Sequence, residues 1–332
     1  MVDTETFLTT LDVMIDDFCQ AYLAPEVHPG PPASLSRSEV ITLGLFGPWA
    51  CFPSERAFSR YARQHLRRAF PALPQRTPFN RWLRRYHEAM GVCFLRLVDL
   101  LEGRDGLYEA LDSSAVPTRE AKRRGAGWLP GLADLGWSTR LGWYEGFPRL
   151  IAVHPRGIMT GVGVGPASAK DQPLAETFFA RRRQPHPRGL SVGKPALGPS
   201  VCEKGFEGQT AHRRWWYGDG AHVMCPPKRH SQHPWSKRMG RWLAGVRQIV
   251  ETVYDKGHHA FGLSRERPHD LTGFLARLAA KLALHTFCIW LNGQLGRPSL
   301  AFADLVDWSH GSISHQALEN SARPASGSRA HP

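Results

Sequence analysis

The chain has 332 residues, 42% of them apolar, enough to bury at least one sizeable core and to rule out a short disulfide-stapled peptide. With 42 Lys+Arg against 29 Asp+Glu the formal charge is +13, which favours a polyanionic partner such as nucleic acid over an acidic protein. Six cysteines stand far apart without C-x-x-C or zinc-ligand spacing, so they are read as reduced, packed thiols. The acidic start MVDTETFLTT has no basic stretch ahead of an apolar run, and no run approaches the ~18 apolar residues of a membrane helix, so a cytoplasmic protein without membrane association is expected.

From Thr4 to Leu23 the apolar residues Phe7, Leu8, Leu11, Met14, Ile15, Phe18 and Tyr22 recur at helical steps. After the break PEVHPGPP, Ser36 and Glu39 have capping-box spacing ahead of a second helix, and Ser54 is placed to cap a third. The segment Phe79 to Leu101 reads as one long helix with Arg81, Arg84 and Arg85 near its start, ending at Gly103. Residues 1–103 are therefore expected to form a helical unit, either a plain bundle or a DNA-binding head.

The pattern then changes. Leu107–Asp112, Leu150–His154 and Gly157–Val164 are strand-like, with Pro155–Gly157 as a turn, and predict an antiparallel meander. A helix at 172–183 with Asp171 as its N-cap, short apolar steps at 200–202 and 221–227, and helices near 241–254 and 271–295 complete an α/β pattern. His285 is expected in a core. Residues 309–332 are rich in Ser, Ala, His and Pro and are expected to be a disordered polar tail.

Three acids attract attention. Asp112 ends a strand-like run and opens into SSAVP, Glu203 follows another short apolar step 91 positions later, and Glu251 lies within the helical RQIVETVY. Each also has a plain reading: Asp112 as an Asx-turn residue, Glu203 as a surface partner of Lys204, and Glu251 as a helix acid paired with Arg247 four residues before it.

The blocks LDSSAVPTR, CEKGFEG, YGDGAHVMCPPKR, RQIVETVYDK and FLARLAAKLALHTFCIWLNGQLGRP, in that order, resemble those of bacterial insertion-sequence transposases of the DDE type. The likeness runs from about Ser36 to Trp308. It implies an RNase H-like, integrase-type catalytic domain over 104–308 and cleavage and strand transfer at element ends. The implied partners are double-stranded DNA, both transposon ends and target, and further copies of the chain in a synaptic complex; the implied place is the bacterial nucleoid. It further implies that Asp112, Glu203 and Glu251 hold two Mg²⁺ or Mn²⁺ ions, hard cations suited to carboxylate oxygens. Glu203 stands where the family pattern has aspartate, and one added methylene moves a carboxylate outward by on the order of 1.5 Å. His258 stands where the pattern has lysine, with Lys256 close by. A copy that binds DNA without cutting it is the alternative.

Between Lys204 and Arg247 nine basic residues (Lys204, Arg213, Arg214, Lys228, Arg229, Lys237, Arg238, Arg241, Arg247) face only Glu207 and Asp219, with Trp215, Trp216, Tyr217, Trp235 and Trp242 interleaved. Together with Lys256 these cations are the expected DNA contacts, the aromatics being available either to bases or to the core.

Overall fold

The computed structural model describes residues 1–26, 33–119, 129, 133–138, 141–183, 192–193, 195–227, 234–263 and 270–308. Helix α1 (Thr4–Tyr22) starts where Asp3 accepts the Thr6 N–H at 2.8 Å. Helix α2 (Arg37–Phe46) has the expected reciprocal box between Ser36 and Glu39, and Ser54 caps α3 (Glu55–His65) through the Ala57 N–H.

The single helix expected over 79–101 is instead two, α4 (Arg76–Arg85) and α5 (His87–Leu100). Its apolar positions keep helical phase across the junction, so periodicity alone hides the break. Tyr86 leaves helical geometry at φ −93°, ψ 15°; its buried ring sends the hydroxyl to Glu26 at 2.9 Å, and the His87 ring donates to the Arg84 carbonyl at 2.8 Å. Side chains thus take over where the backbone ladder lapses.

The sheet begins with β2 (Glu109–Arg119), preceded in the chain only by the two-residue β1 (Val2–Asp3). It continues with β3 (Asp134–Ser138), β4 (Gly142–Val153), β5 (Met159–Val164), β6 (Val192–Gly193), β7 (Ser200–Val201) and β8 (Val223–Met224), in the spatial order β6-β5-β4-β2-β7-β8 with β3 beside the outer half of β4. The expected meander is present: β4 is antiparallel to both of its neighbours β2 and β5, while β7 runs parallel to β2 and β8 parallel to β7. Gly157, at φ +84°, returns the chain between β4 and β5 with its N–H on the His154 carbonyl. Two features escaped the pattern. Strand β2 runs on through SSAVPTR, because its inner edge pairs with β4 as far as Arg119, and β3 forms an unforeseen hairpin with β4.

Alternation along β2 and β4 splits the interior in two. Leu111, Leu150 and Ala152 face α6 (Asp171–Arg183), together with Phe178, Phe206 and Trp215, the last at the end of α7 (Gln209–Arg214). Ala110, Ile151 and Val153 face the other way, toward α8 (Lys237–Phe261) and α9 (Leu271–Gln294). This second core continues without interruption through α5 to α1 and α2. The model is a mixed α/β structure with helices on both faces of a mixed sheet.

Helix α9 has the length and hydropathy of a membrane span, contrary to the composition reading, but 83% of its most apolar window is buried inside the fold. His285 lies fully buried within it, as expected, and all six cysteines are free. At the ends, β1 pairs in parallel with β9 (Val306–Asp307), and Trp308 packs on Phe46, Trp49 and Phe52. The tail 309–332 lies outside the described residues.

Candidate active site

Asp112 sits within β2 rather than at its end. Strand β7 pairs with β2 only through Glu109 and Ala110, so from Asp112 onward no strand among the described residues pairs with the outer edge of β2, while its inner edge stays paired to β4. Glu203 comes two residues after β7, where the Cys202 N–H still bonds to the Met224 carbonyl and the chain turns into a 3₁₀ turn anchored by buried Phe206. The second acid is thereby carried one strand across from the first.

The third comes from α8, which the Ser236 cap starts and Gly262, at φ +59°, stops. Arg247, Glu251 and Tyr254 recur at steps of four and three and share one face. The Tyr254 hydroxyl lies 3.1 Å from both the Asp112 and the Arg149 carbonyl oxygens, so one half-buried tyrosine ties α8 to β2 and β4. On that face the Arg247 guanidinium forms an ion pair with Glu203 and stands 3.6 Å from Glu251.

Burial pushes the Asp112 carboxyl up to about 7, and the neighbouring Glu203 charge pushes the same way. The Ser113 N–H, donating to Asp112 at 2.8 Å, and Arg247 oppose the rise; Asp171 adds to it. Asp171, expected only as a helix cap, is the first residue of α6, and its carboxylate accepts the Ser113 hydroxyl at 2.8 Å. It also lies against Gly205, where a β-carbon would collide with it. Asp112 therefore sits between two acidic neighbours, Glu203 and Asp171, and one guanidinium. No family model, curated protein or solved structure matches the chain.

Whether these groups suit a divalent cation is a question of donor type and spacing. Carboxylate oxygens are the hard donors that Mg²⁺ and Mn²⁺ prefer, and an acid raised to about 7 by burial and a like charge is one that a cation would relieve. As placed, no three His, Cys, Asp or Glu side chains among the described residues stand at metal-holding distance. Arg247 occupies the position between Glu203 and Glu251 and supplies the positive charge there. The donor set fits in kind, with Asp112 and Glu203 as its centre and Glu251, whose side chain is 63% exposed, at its margin.

The expected DNA contacts are spread widely. Lys204, Arg213, Lys237, Arg238 and Arg241 are exposed on the 3₁₀ turn, α7 and the start of α8; Arg214, also exposed, pairs with Glu176 at 2.7 Å. Lys228 and Arg229 lie outside the described residues. Arg247 serves the acids, and Lys256 is exposed about 140° around α8 from Glu251, whereas His258 is nearly in line with it. Of the interleaved aromatics, Trp215 is fully buried and Trp242 packs on Tyr108; Trp216 and Tyr217 are exposed.

Proposed function

We propose that the chain is a DNA transposase of the DDE class, acting in the bacterial cytoplasm as a homo-oligomer on two element ends. One observation carries the reading: three separate elements, β2, the turn after β7, and α8, bring Asp112, Glu203 and Glu251 into one electrostatic cluster joined by Arg247. The sheet supports an RNase H-like core. Leaving out the β3 hairpin and the two-residue edge strand β6, its strands from β2 onward run third, second, first, fourth, fifth from β5 to β8, neighbours among the first three being antiparallel and the last two parallel to the first.

Asp112 and Glu203 would hold Mg²⁺ or Mn²⁺, with Glu251 completing the set. Such an ion supplies Lewis-acid polarisation of a phosphodiester and favours ionisation of the attacking hydroxyl. What the protein contributes is position and charge. Tyr254 fixes the depth of α8 against Asp112, and the burial that raises Asp112 strengthens the charge interactions of Asp112 itself. Arg247 neutralises Glu203 in the resting fold and is placed to meet a phosphate once released. The exposed cations of α7 and of the start of α8 add positive charge that the phosphates of a bound duplex would meet.

A second reading, a protein that holds element ends without cutting them, is favoured by the closure of Glu203 onto Arg247. Cleavage of the flanking end sequences, assayed with Mg²⁺ and with Mn²⁺, separates the two. Glu203→Asp is expected to raise Mg²⁺-dependent cleavage by on the order of 10- to 100-fold, since ~1 Å misplacements at a reacting centre cost about that much. Mn²⁺ should partly rescue the natural chain. Binding without cleavage by either version under both metals would establish the second reading.

A further inference from the structure

A cavity of about 1320 Å³ lies away from the acids, between α3, α4, α9 and the β3–β4 hairpin. Its floor is apolar, with Leu43, Phe58, Phe79, Leu83, Met90 and Phe261. Its charged lining is Arg56, Arg63, Arg76, Arg84, Arg277 and Lys281 against the single acid Glu55. Glu55 is already bound to Arg277 at 2.5 Å, and Arg84 pairs with Asp270 at 3.1 Å. Arg56, Arg63 and Arg76 have no ion-pair partner among the described residues and are exposed. Helix α4 has no fully buried residue; it lines the cavity through Phe79 and Leu83, which pack on the core only in part.

The hairpin closes the far side. Trp143, which lines the cavity, is 67% exposed, and its register partner Trp137 on β3 is 60% exposed. Directly opposed residues of an antiparallel pair project from the same face, so two tryptophans stand together on a projecting hairpin with most of their surface in water. Neither contributes to a buried cluster. That is an unusual location for the largest apolar side chain, and it accompanies an excess of positive charge.

We infer that this groove is a binding site for single-stranded DNA, with phosphates on Arg56, Arg63 and Arg76 and an unpaired base stacked on Trp143. Charge complementarity selects a polyanion, and the apolar floor with its exposed indoles selects among polyanions. A duplex presents phosphates and groove edges but hides its base faces, whereas an unpaired strand offers both phosphates and π-faces. The inference extends the DNA reading to a second surface and rests on that reading only for the choice of nucleic acid; the acids take no part in it.

The test is fluorescence anisotropy of a labelled fifteen-nucleotide oligothymidylate and of a blunt, fully paired hairpin duplex on the full chain, with EDTA present so that no cation site contributes. Trp143→Ala is expected to weaken oligothymidylate binding by about tenfold or more and to leave the duplex within about twofold, with Trp143→Phe retaining most of the affinity. The exposed position makes loss of folding a minor concern, and a thermal melt of each variant checks it. Neutralising Arg56, Arg63 and Arg76 to Gln together should reduce the slope of log affinity against log salt for the oligonucleotide by about two, near 0.7 for each phosphate released. Unchanged oligonucleotide affinity in Trp143→Ala, an equal loss for the duplex, or displacement of the oligonucleotide by polyglutamate with equal effect in both proteins would overturn the inference. Each of these results is independent of cleavage: a chain that cuts element ends but fails here loses only this site, and a chain that passes here but never cuts loses only the enzymatic reading.

Discussion

Asp112→Asn is expected to make the protein more stable at pH 8 while abolishing any cation-dependent cleavage. A carboxyl moved from 3.8 to about 7 keeps its proton in the fold at pH values where the unfolded chain has already lost it. Stability therefore falls as pH rises from about 4 to 7 and stays low above that, by on the order of 4 kcal/mol if the whole shift is expressed. Asparagine keeps the oxygen that accepts the Ser113 N–H and removes the charge. A gain on the order of 2 kcal/mol at pH 8, vanishing near pH 4 where aspartic acid is itself neutral, is the expected outcome of urea denaturation at the two pH values. Adding Mg²⁺ at pH 8 should raise the melting temperature of the natural chain and leave that of Asp112→Asn unmoved. Equal stability of the two proteins at both pH values would mean that Asp112 is ordinarily solvated and no candidate for a cation site.

The second large effect concerns a pair that the sequence offered no reason to single out. Glu109 and Arg182 are both buried and bonded at 2.7 Å, and Glu109 also accepts the hydroxyls of Ser200 at 2.6 Å and Thr160 at 2.9 Å. One carboxylate thus joins β2, β5, β7 and α6 just beside the strand position that presents Asp112. The Arg182 guanidinium uses a single nitrogen in this bond; its Nε and other terminal nitrogen find no partner among the described residues, and Phe178 lies under it at 4.9 Å. Glu109→Ala strands that charge and is expected to cost about 3–5 kcal/mol in denaturant unfolding, whereas replacing both partners, Glu109→Leu with Arg182→Met, should recover most of the loss. A loss under about 1 kcal/mol in the single variant would show that water reaches the pair.

Much of this architecture was legible from local signals. Caps such as Ser36 and Ser54 act within four residues, and the amphipathic spacing of α1 and α9 reports burial directly, so both survive translation into three dimensions. The acids were legible as residues, each beside an apolar step, but their company was not. That Arg247 bridges Glu203 and Glu251, that Tyr254 anchors α8 on the Asp112 backbone, and that Asp171 contributes charge depend on how β7 stops short along β2, which no window of sequence records. The split at Tyr86 was hidden because its hydroxyl partner, Glu26, lies sixty positions away. The β3 hairpin was missed because it is short and its residues Leu135, Trp137 and Trp143 are exposed, so burial leaves no alternation to read.

The pairing of β1 with β9 joins residues about three hundred positions apart, and Phe7 and Phe46 are covered by Phe287 and Trp308 from the far end of the chain. During synthesis the first helices emerge long before the residues that complete their core. Until Trp308 leaves the ribosome, the aromatic face of α1 and α2 stays open to other apolar surfaces, including that of a second nascent copy. The amino-terminal helices therefore complete their core only once β9 and Trp308 have been synthesised.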